Sequence, residues 1–204
     1  MSESGYPLLS VRVWGDFACW TRPEMKVERV TYPVMTPMGA RGLLEAIFWK
    51  PEFVWDVRQI DVINPIRYFS LTRNEVDRRA ADGSMSIAIA EVRTQRHALL
   101  LRDVAYVIHG DIVLQGHATA DIAKYRDQFR RRVVRGACAH RPYLGTREFS
   151  AFFGPPILDE ELQGGDLTIG PMVRSIAYPE SSLAPSMFDA VLEQGRLAIP
   201  PLGT

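Results

Sequence analysis

The chain has 204 residues, of which 47% are hydrophobic, enough to bury the core of one domain or of two small ones. Its 24 Lys and Arg residues balance 24 Asp and Glu residues, and this composition excludes a disordered protein. No apolar run is long enough to span a membrane and the first residues lack signal-peptide features, so we expect a cytoplasmic protein. Cys19 and Cys138 form no CxxC pair, which argues against a disulfide framework or a zinc site.

The first predicted elements are a strand and a helix. Largely alternating apolar residues predict a strand within residues 7–20 that ends near residues 15–16. The helix begins after Thr36, which suits an N-cap, with Pro37 at its first position. Its apolar face continues until Pro51 ends it.

The middle of the chain has mainly strand character. Residues 53–71 predict one long strand, or a bent pair broken at Pro65. Residues 73–83 are charged and unpatterned, which predicts a loop tip. Two further strands are expected, at residues 87–92 and 99–114.

A basic helix over residues 122–135 is the next predicted element, with Thr119 or Asp121 as its cap. Residues 142–154 then predict a turn followed by an aromatic strand. In the C-terminal region, we expect short strands and a helical turn, listed here by position: strands at residues 167–178 and 198–199, and the turn at residues 186–193.

This order of elements predicts an α+β fold. Strand, helix, strand, strand, helix, strand is the order of a ferredoxin-like, or RNA-recognition-motif-like, unit. We therefore expect a ferredoxin-like domain over residues 1–154 and a small antiparallel β-sheet extension over residues 155–204. The order alone does not specify a function, because the fold hosts many activities.

The charge of this neutral chain is unevenly distributed. Residues 124–147 contain eight Lys or Arg against Asp127, whereas residues 155–204 contain seven Asp or Glu against Arg174 and Arg196. A localised basic face is typical of a protein that binds a polyanion. The alternative is a solvated basic face, or one that contacts the acidic C-terminal region of its own chain.

The basic helix separates apolar residues from cations. At 100° per residue, Ile122, Tyr125, Phe129 and Val133 form one stripe that would lie on the sheet. Six cations share the remaining surface and repel one another, so a phosphate backbone is a plausible partner. These cations are Lys124, Arg126, Arg130, Arg131, Arg132 and Arg135.

Three segments carry a resemblance to a known family. They read VWGDFACWTRP at residues 13–23, AIFWKP at residues 46–51 and YLGTRE at residues 143–148. In this order, they resemble the fifth Cas protein of subtype I-C CRISPR systems, a family of the RAMP superfamily. The resemblance implies an endoribonuclease that cuts precursor CRISPR RNA at the repeat hairpin without a metal or another cofactor. It also implies partners: the mature crRNA, whose 5′ handle stays bound, and the other subunits of a type I-C interference complex.

The chemistry of such a cut defines the residues to look for. The 2′-hydroxyl beside the scissile phosphate must lose a proton, the phosphorane charge must be stabilised, and the leaving 5′ oxygen must gain a proton. The family pattern implies a Tyr where this chain has Phe48, and a Lys-His pair where it has Lys124 followed by Tyr125 or Arg126. We therefore expect catalytic residues that are atypical of the family, and propose Lys124, Tyr125 and His117, which precedes the basic helix.

The RNA-binding candidates surround these groups. Phe48 keeps only a stacking or packing role, and His140 follows the basic helix closely enough to approach the same phosphate. Arg147 could contact a phosphate or pair with a carboxylate of its own chain. The complete set is Phe48, Lys50, Arg126, Arg130, Arg131, Arg132, Arg135, His140 and Arg147.

Two other functions stay open from the sequence. A non-catalytic RNA-binding subunit of an interference complex would explain the missing Tyr and His. A metal-dependent nuclease or binder acting on DNA is supported less, because the scattered Asp and Glu residues form no recognisable ligand set. Nonspecific DNA binding by the same cations is compatible with any of these functions.

Overall fold

The computed structural model describes residues 6–25, 27–76, 93–176 and 186–202. Within these ranges, nine strands form one sheet, and two helices pack against it and against each other. The elements are β1 (Leu9–Ala18), β2 (Arg29–Val30), α1 (Pro37–Ile47), β3 (Phe53–Val62), β4 (Tyr68–Val76), β5 (Arg93–Leu114), α2 (Ile122–Arg135), β6 (Phe152–Gly154), β7 (Leu167–Ser175), β8 (Ser186–Glu193) and β9 (Arg196–Ala198).

Six elements have the order and the pairing of a ferredoxin-like unit. They are β1, α1, β3, β5, α2 and β6, and their strands lie in the antiparallel order β6-β1-β5-β3. The predicted fold class is confirmed, and β9, β8 and β7 extend the sheet beyond β3 as antiparallel strands. Because β9 pairs with β3, the sheet is continuous across residue 154, and a domain boundary there stays a prediction.

The long strand β5 joins the two parts of the sheet. Its first half pairs with β4, from Arg93 opposite Val76 to Leu101 opposite Tyr68. Its second half pairs with β1 on one side and β3 on the other. Asp103 interrupts the pairing with β1 at a φ of 52°, a left-handed conformation that Asp tolerates better than most residues.

Helix α1 begins where the sequence predicts. The Thr36 side chain accepts a hydrogen bond from the Gly39 backbone N–H at 3.2 Å, and Pro37 occupies the first turn. The helix ends at Ile47, with Phe48 as its C-cap, a few residues before the predicted end at Pro51. No helix within the described ranges is long and apolar enough to cross a membrane.

Two predicted elements are wrong. Ser186–Glu193 is a strand rather than a helical turn, because every second side chain from Phe188 to Leu192 turns inward and the segment pairs with β7 and β9. Arg73 is part of β4 rather than of a loop, since it pairs across to Arg96 of β5. The remaining predictions for residues 77–83 and 87–92 lie outside the described residues.

Gly42 gives a direct test of the helix assignment. It lies in the middle of α1, and a Cβ added there would have no heavy atom within 4 Å. We expect Gly42→Ala to raise the free energy of unfolding by about 0.5 to 1 kcal/mol, because Ala loses less backbone entropy in a helix. Urea unfolding followed by circular dichroism measures this change.

The matched control is Gly39→Ala in the first turn of the same helix. Its Cβ would lie 2.4 Å from Trp20 Nε1, a contact too short to accommodate without movement. This variant should therefore lose stability. Equal effects of the two substitutions would contradict the described packing of α1.

Candidate nucleic-acid interface

Helix α2 is fixed at both ends by capping. The Asp121 side chain accepts a hydrogen bond from the Ala123 backbone N–H at 3.3 Å, which confirms one of the two predicted caps. At the other end, Gly136 has a φ of 64°, and its N–H reaches the last carbonyls of the helix. These caps satisfy backbone groups at both ends and fix where the helix begins and ends.

Three of the four residues of the predicted apolar stripe of α2 are buried, and Ile122 is partly buried against the same core. Tyr125, Phe129 and Val133 belong to the main core, where the Phe129 ring meets the Trp55 ring with 4.7 Å between centroids. Burial of this stripe turns the opposite face outward. Lys124, Arg130, Arg131 and Arg135 are exposed on that face.

Arg126 does not share this exposure. Its side chain is 1% exposed, and its guanidinium forms an ion pair with Asp111 of β5 and donates to the Pro7 carbonyl oxygen. Burial lowers the pKa of Arg126, and the nearby Asp111 carboxylate counteracts part of that effect. Arg126 therefore connects α2 to the sheet and is not part of the exposed cationic surface.

The C-terminal end of α1 is the point where several candidates meet. Phe48 is 1% exposed, and its ring lies beside the Phe53 ring and under the Arg132 guanidinium, 5.4 Å from the ring centre. Arg132 also donates to the Ile47 carbonyl oxygen at 2.8 Å. Phe48 is thus a packing residue, and Arg132 binds α2 to the end of α1.

Tyr125 lies inside this same junction. It is 3% exposed, and its ring packs against Phe53 with 5.4 Å between centroids. The Tyr125 ring is therefore used for core packing.

The two predicted histidines are exposed, and each is hydrogen-bonded to a backbone carbonyl near the end of α1. His117 Nε2 lies 3.0 Å from the Pro51 carbonyl oxygen, so Nε2 donates and Nδ1 is left as the acceptor nitrogen in the neutral ring. The backbone N–H of His140 donates to the Ala46 carbonyl oxygen at 3.3 Å. Lys50, directly before Pro51, is half-buried.

Two clefts are lined in part by the segment that follows α2. One, of about 330 Å³, is lined by Gln128, Arg131, Arg132, Arg135, Ala137 and Cys138. The other, of about 510 Å³, is lined by His140, Arg141, Pro142, Tyr143, Arg147 and Ser150. We call these two clefts together the basic surface. Five of the predicted RNA-binding residues line it: Arg131, Arg132, Arg135, His140 and Arg147.

The loop that carries Arg147 is anchored through its neighbour Glu148. Arg73 donates two hydrogen bonds to the Glu148 carboxylate, at 2.7 and 2.9 Å, and Arg29 donates a third at 3.3 Å. Burial raises the pKa of Glu148, but the hydrogen bonds and charges of Arg73 and Arg29 outweigh burial and hold it below its usual value. Glu148 therefore accepts these bonds as an anion, which ties β2 and β4 to the loop.

The acidic C-terminal region does not neutralise α2 in the described part of the chain. There, the ion pairs of α2 are Arg126 with Asp111 and Arg130 with Asp127. Glu160 of the C-terminal region pairs with Arg12 of β1 instead, at 2.6 Å. Over these ranges, the basic surface is open to an external anion.

Three further residues in or near this region were not predicted as site residues. Arg141 and Tyr143 line the larger cleft, and Trp49 is 56% exposed beside the end of α1. Each lies within or next to a family-like segment, which was the available signal, but the sequence could not distinguish an exposed aromatic residue from a buried one. Among the described residues, no group of three or more His, Cys, Asp or Glu side chains could hold a metal ion.

The comparisons with known proteins agree on one family. Residues 8–183 match the Cas5d profile, described as "CRISPR-associated protein (Cas_Cas5)". A relative from Thermus thermophilus, named "CRISPR pre-crRNA endoribonuclease Cas5d", is 50% identical over 181 residues, covering 88% of this chain and 77% of its own. A relative of the same name from Mannheimia succiniciproducens is 38% identical over 214 aligned residues and 95% of each chain.

A solved structure supports the fold independently. It is described as the crystal structure of a CRISPR-associated protein and superimposes with a TM-score of 0.70. The match covers 96% of this chain and 95% of the other, at 22% identity. At that identity, the likeness shows a shared architecture.

A pair of arginine substitutions tests which cations face solvent. We expect Arg126→Met to lower the free energy of unfolding by about 3 to 5 kcal/mol, because it leaves Asp111 buried without its guanidinium partner. Arg131→Met, an exposed position on the same helix, should change it by less than about 0.5 kcal/mol. Urea unfolding of both variants measures the contrast, and equal losses would mean that Arg126 is not held as described.

Proposed function

The chain belongs to the Cas5d family of CRISPR-associated proteins, and we propose that it is an endoribonuclease that cuts precursor CRISPR RNA at the repeat hairpin. The observation that carries this proposal is the basic surface, which combines exposed arginines with clefts beside the end of α1. Single-stranded and hairpin RNA present the phosphates that such a surface would neutralise. The 50% identity to a protein named as a pre-crRNA endoribonuclease supports the same reaction.

We assign the proton transfers and charge stabilisation to side chains rather than to a metal. Lys124 is exposed in the first turn of α2, where its ammonium can stabilise the phosphorane or protonate the leaving oxygen. His117 is exposed and oriented by its bond to the Pro51 carbonyl, so its Nδ1 can accept the proton of a 2′-hydroxyl. Tyr125, the third catalytic candidate, packs in the core, so its part is to position α2.

These assignments make the catalytic residues atypical of the family pattern. Phe48 has no hydroxyl and is covered by Arg132, so it can transfer no proton. In this proposal, Phe48 has only a structural role, because it lies where Arg132 binds the end of α1. His117 supplies the titratable group that Phe48 lacks.

A second candidate function is favoured by the same residues. If Phe48 and Tyr125 serve packing alone, the protein could bind the repeat without cutting it, as a structural subunit of an interference complex. Both functions are compatible with retention of the mature crRNA by its 5′ handle, and with contacts to other type I-C subunits. The basic surface could also bind DNA nonspecifically, which a competition assay with duplex DNA would measure.

The cleavage prediction uses the repeat RNA of the protein's own locus with EDTA present. We expect a single cut that leaves a cyclic phosphate, and we expect Lys124→Ala to slow single-turnover cleavage about 100-fold, the lower range for loss of a general acid or base. Arg67→Ala is the control. Arg67 is an exposed cation that faces Asp103, and it lies outside the basic surface.

Two results would contradict this assignment. Cleavage by Lys124→Ala at the parent rate would remove the role of that lysine. Tight binding by the parent protein with intact RNA, with or without divalent metal, would select the non-catalytic function instead.

The salt dependence of binding tests the surface itself. Each phosphate neutralised on a single strand contributes a slope of about −0.7 in a plot of log affinity against log salt. Replacing Arg131 and Arg135 together by Ala should flatten the slope by about 1.4, twice that contribution per phosphate.

The matched control replaces two other exposed arginines, Arg67 just before β4 and Arg102 in β5, which both face Asp103. Their removal should leave the slope unchanged. A slope that responds to this pair and not to Arg131 and Arg135 would place the RNA on another surface.

A further inference from the structure

A separate cavity of about 370 Å³ lies between the first half of α1 and the loop around Gly145. Its volume is within the usual range for small-molecule sites. Apolar and aromatic side chains form much of its wall: Trp20, Met38, Leu43, Tyr143 and Ile176. None of the catalytic candidates lines it, so the proposed chemistry does not account for it.

Glycines keep this cavity open. Gly39, Gly42 and Gly145 all line it. A Cβ on Gly145 would come 2.0 Å from the Cys19 carbonyl oxygen, so that loop must approach without a side chain. Gly42 is different, because a Cβ there would meet nothing within 4 Å and would stand in open space beside the cavity.

The indole of Trp20 is packed tightly into the cavity wall. Trp20 is 4% exposed, and its Nε1 has no hydrogen-bond partner among the described residues. The edge of the indole that carries Nε1 faces Gly39, and its neighbouring Cδ1 faces Gly145. This edge is covered by Gly39, so Trp20 contributes an aromatic surface to the wall.

Tyr143 connects this cavity to the basic surface. Its side chain lines both the cavity and the 510 Å³ cleft that contains His140 and Arg147. A strand whose phosphates occupy that cleft would thus have its bases next to an aromatic wall. Proteins that recognise single-stranded RNA use such walls to hold bases that have left the stack.

We propose that this cavity receives one unpaired nucleobase of the bound RNA, which enters past Tyr143 and lies against Trp20 and Met38. The inference rests on the proposed function, because the RNA on the basic surface supplies the base. It adds a specificity site that is distinct from the groups proposed to cut the strand.

The experiment combines abasic RNA with a filled cavity. The dissociation constant of the repeat hairpin is measured for a series of RNAs, each lacking the base at one unpaired position, with the parent protein and with Gly42→Phe. With the parent, one abasic position should weaken binding about tenfold. Gly42→Phe should weaken binding of the intact RNA by a similar factor, and that abasic position should then cause no further loss.

Gly42→Ala is the matched control, because its small side chain leaves the cavity available and should preserve the parent pattern. If Gly42→Phe does not fold, Met38→Trp replaces it, since Met38 is a half-buried residue of the same wall. The proposal is overturned if no single abasic position weakens binding to the parent, or if the loss is equal in the parent and filled variants. A parent protein that binds and cuts the repeat while failing this test keeps the proposed function, whereas one that binds no repeat RNA loses both.

Discussion

The cluster of aromatic rings beneath α2 is the constraint on which the rest of this structure depends. Phe53 contacts Phe48, Trp55 and Tyr125, and Trp55 contacts Phe129, with ring centres 4.7 to 5.8 Å apart. Such pairs contribute about 0.5 to 1.5 kcal/mol each beyond their burial. Trp55 Nε1 also donates to the Phe48 carbonyl oxygen at 2.9 Å, which attaches β3 to the end of α1. The cluster therefore sets both the rotation of α2 and the position of the turn that carries Lys50.

That rotation determines where the positive charge is found. With the apolar stripe buried, a cation on α2 reaches solvent, pairs with a buried anion or, like Arg132, donates to a backbone carbonyl oxygen. Lys124, Arg131 and Arg135 follow the first course, and Arg126 follows the second through Asp111. Burial of an unpaired arginine would be costly, so the Asp111 carboxylate is a condition for this packing. A neutral chain can thus present a cationic surface, because acids such as Glu160 pair with arginines of other elements, here Arg12 of β1.

The accuracy of the sequence predictions follows the range of the interactions involved. The three short segments that suggested the family are confirmed by the comparisons, and local rules predicted Thr36 and one of the two caps offered for α2. Arg126 could not be assigned in this way, because its burial depends on a carboxylate that lies on a strand rather than on its own helix. The predicted helical turn at residues 186–193 was wrong for the same reason, since only pairing with β7 and β9 makes these residues a strand. The cavity at Trp20 is more remote still, because segments from four parts of the chain form it.

The loop between α2 and β6 shows how a surface far from regular structure can still be rigid. Leu144 is fully buried, and its carbonyl oxygen accepts a hydrogen bond from the Cys19 N–H at 3.1 Å. Gly145 fits against the Cys19 carbonyl, with a φ of 84° that suits glycine. Glu148 adds the third attachment through Arg73 and Arg29. The backbone that carries Tyr143 and Arg147 is therefore held in place before any ligand arrives, and a ligand that binds there loses less free energy to ordering the loop. The same loop forms one wall of the 510 Å³ cleft and one wall of the cavity at Trp20. Its rigidity therefore fixes the spacing between a phosphate bound in the cleft and a base bound in the cavity.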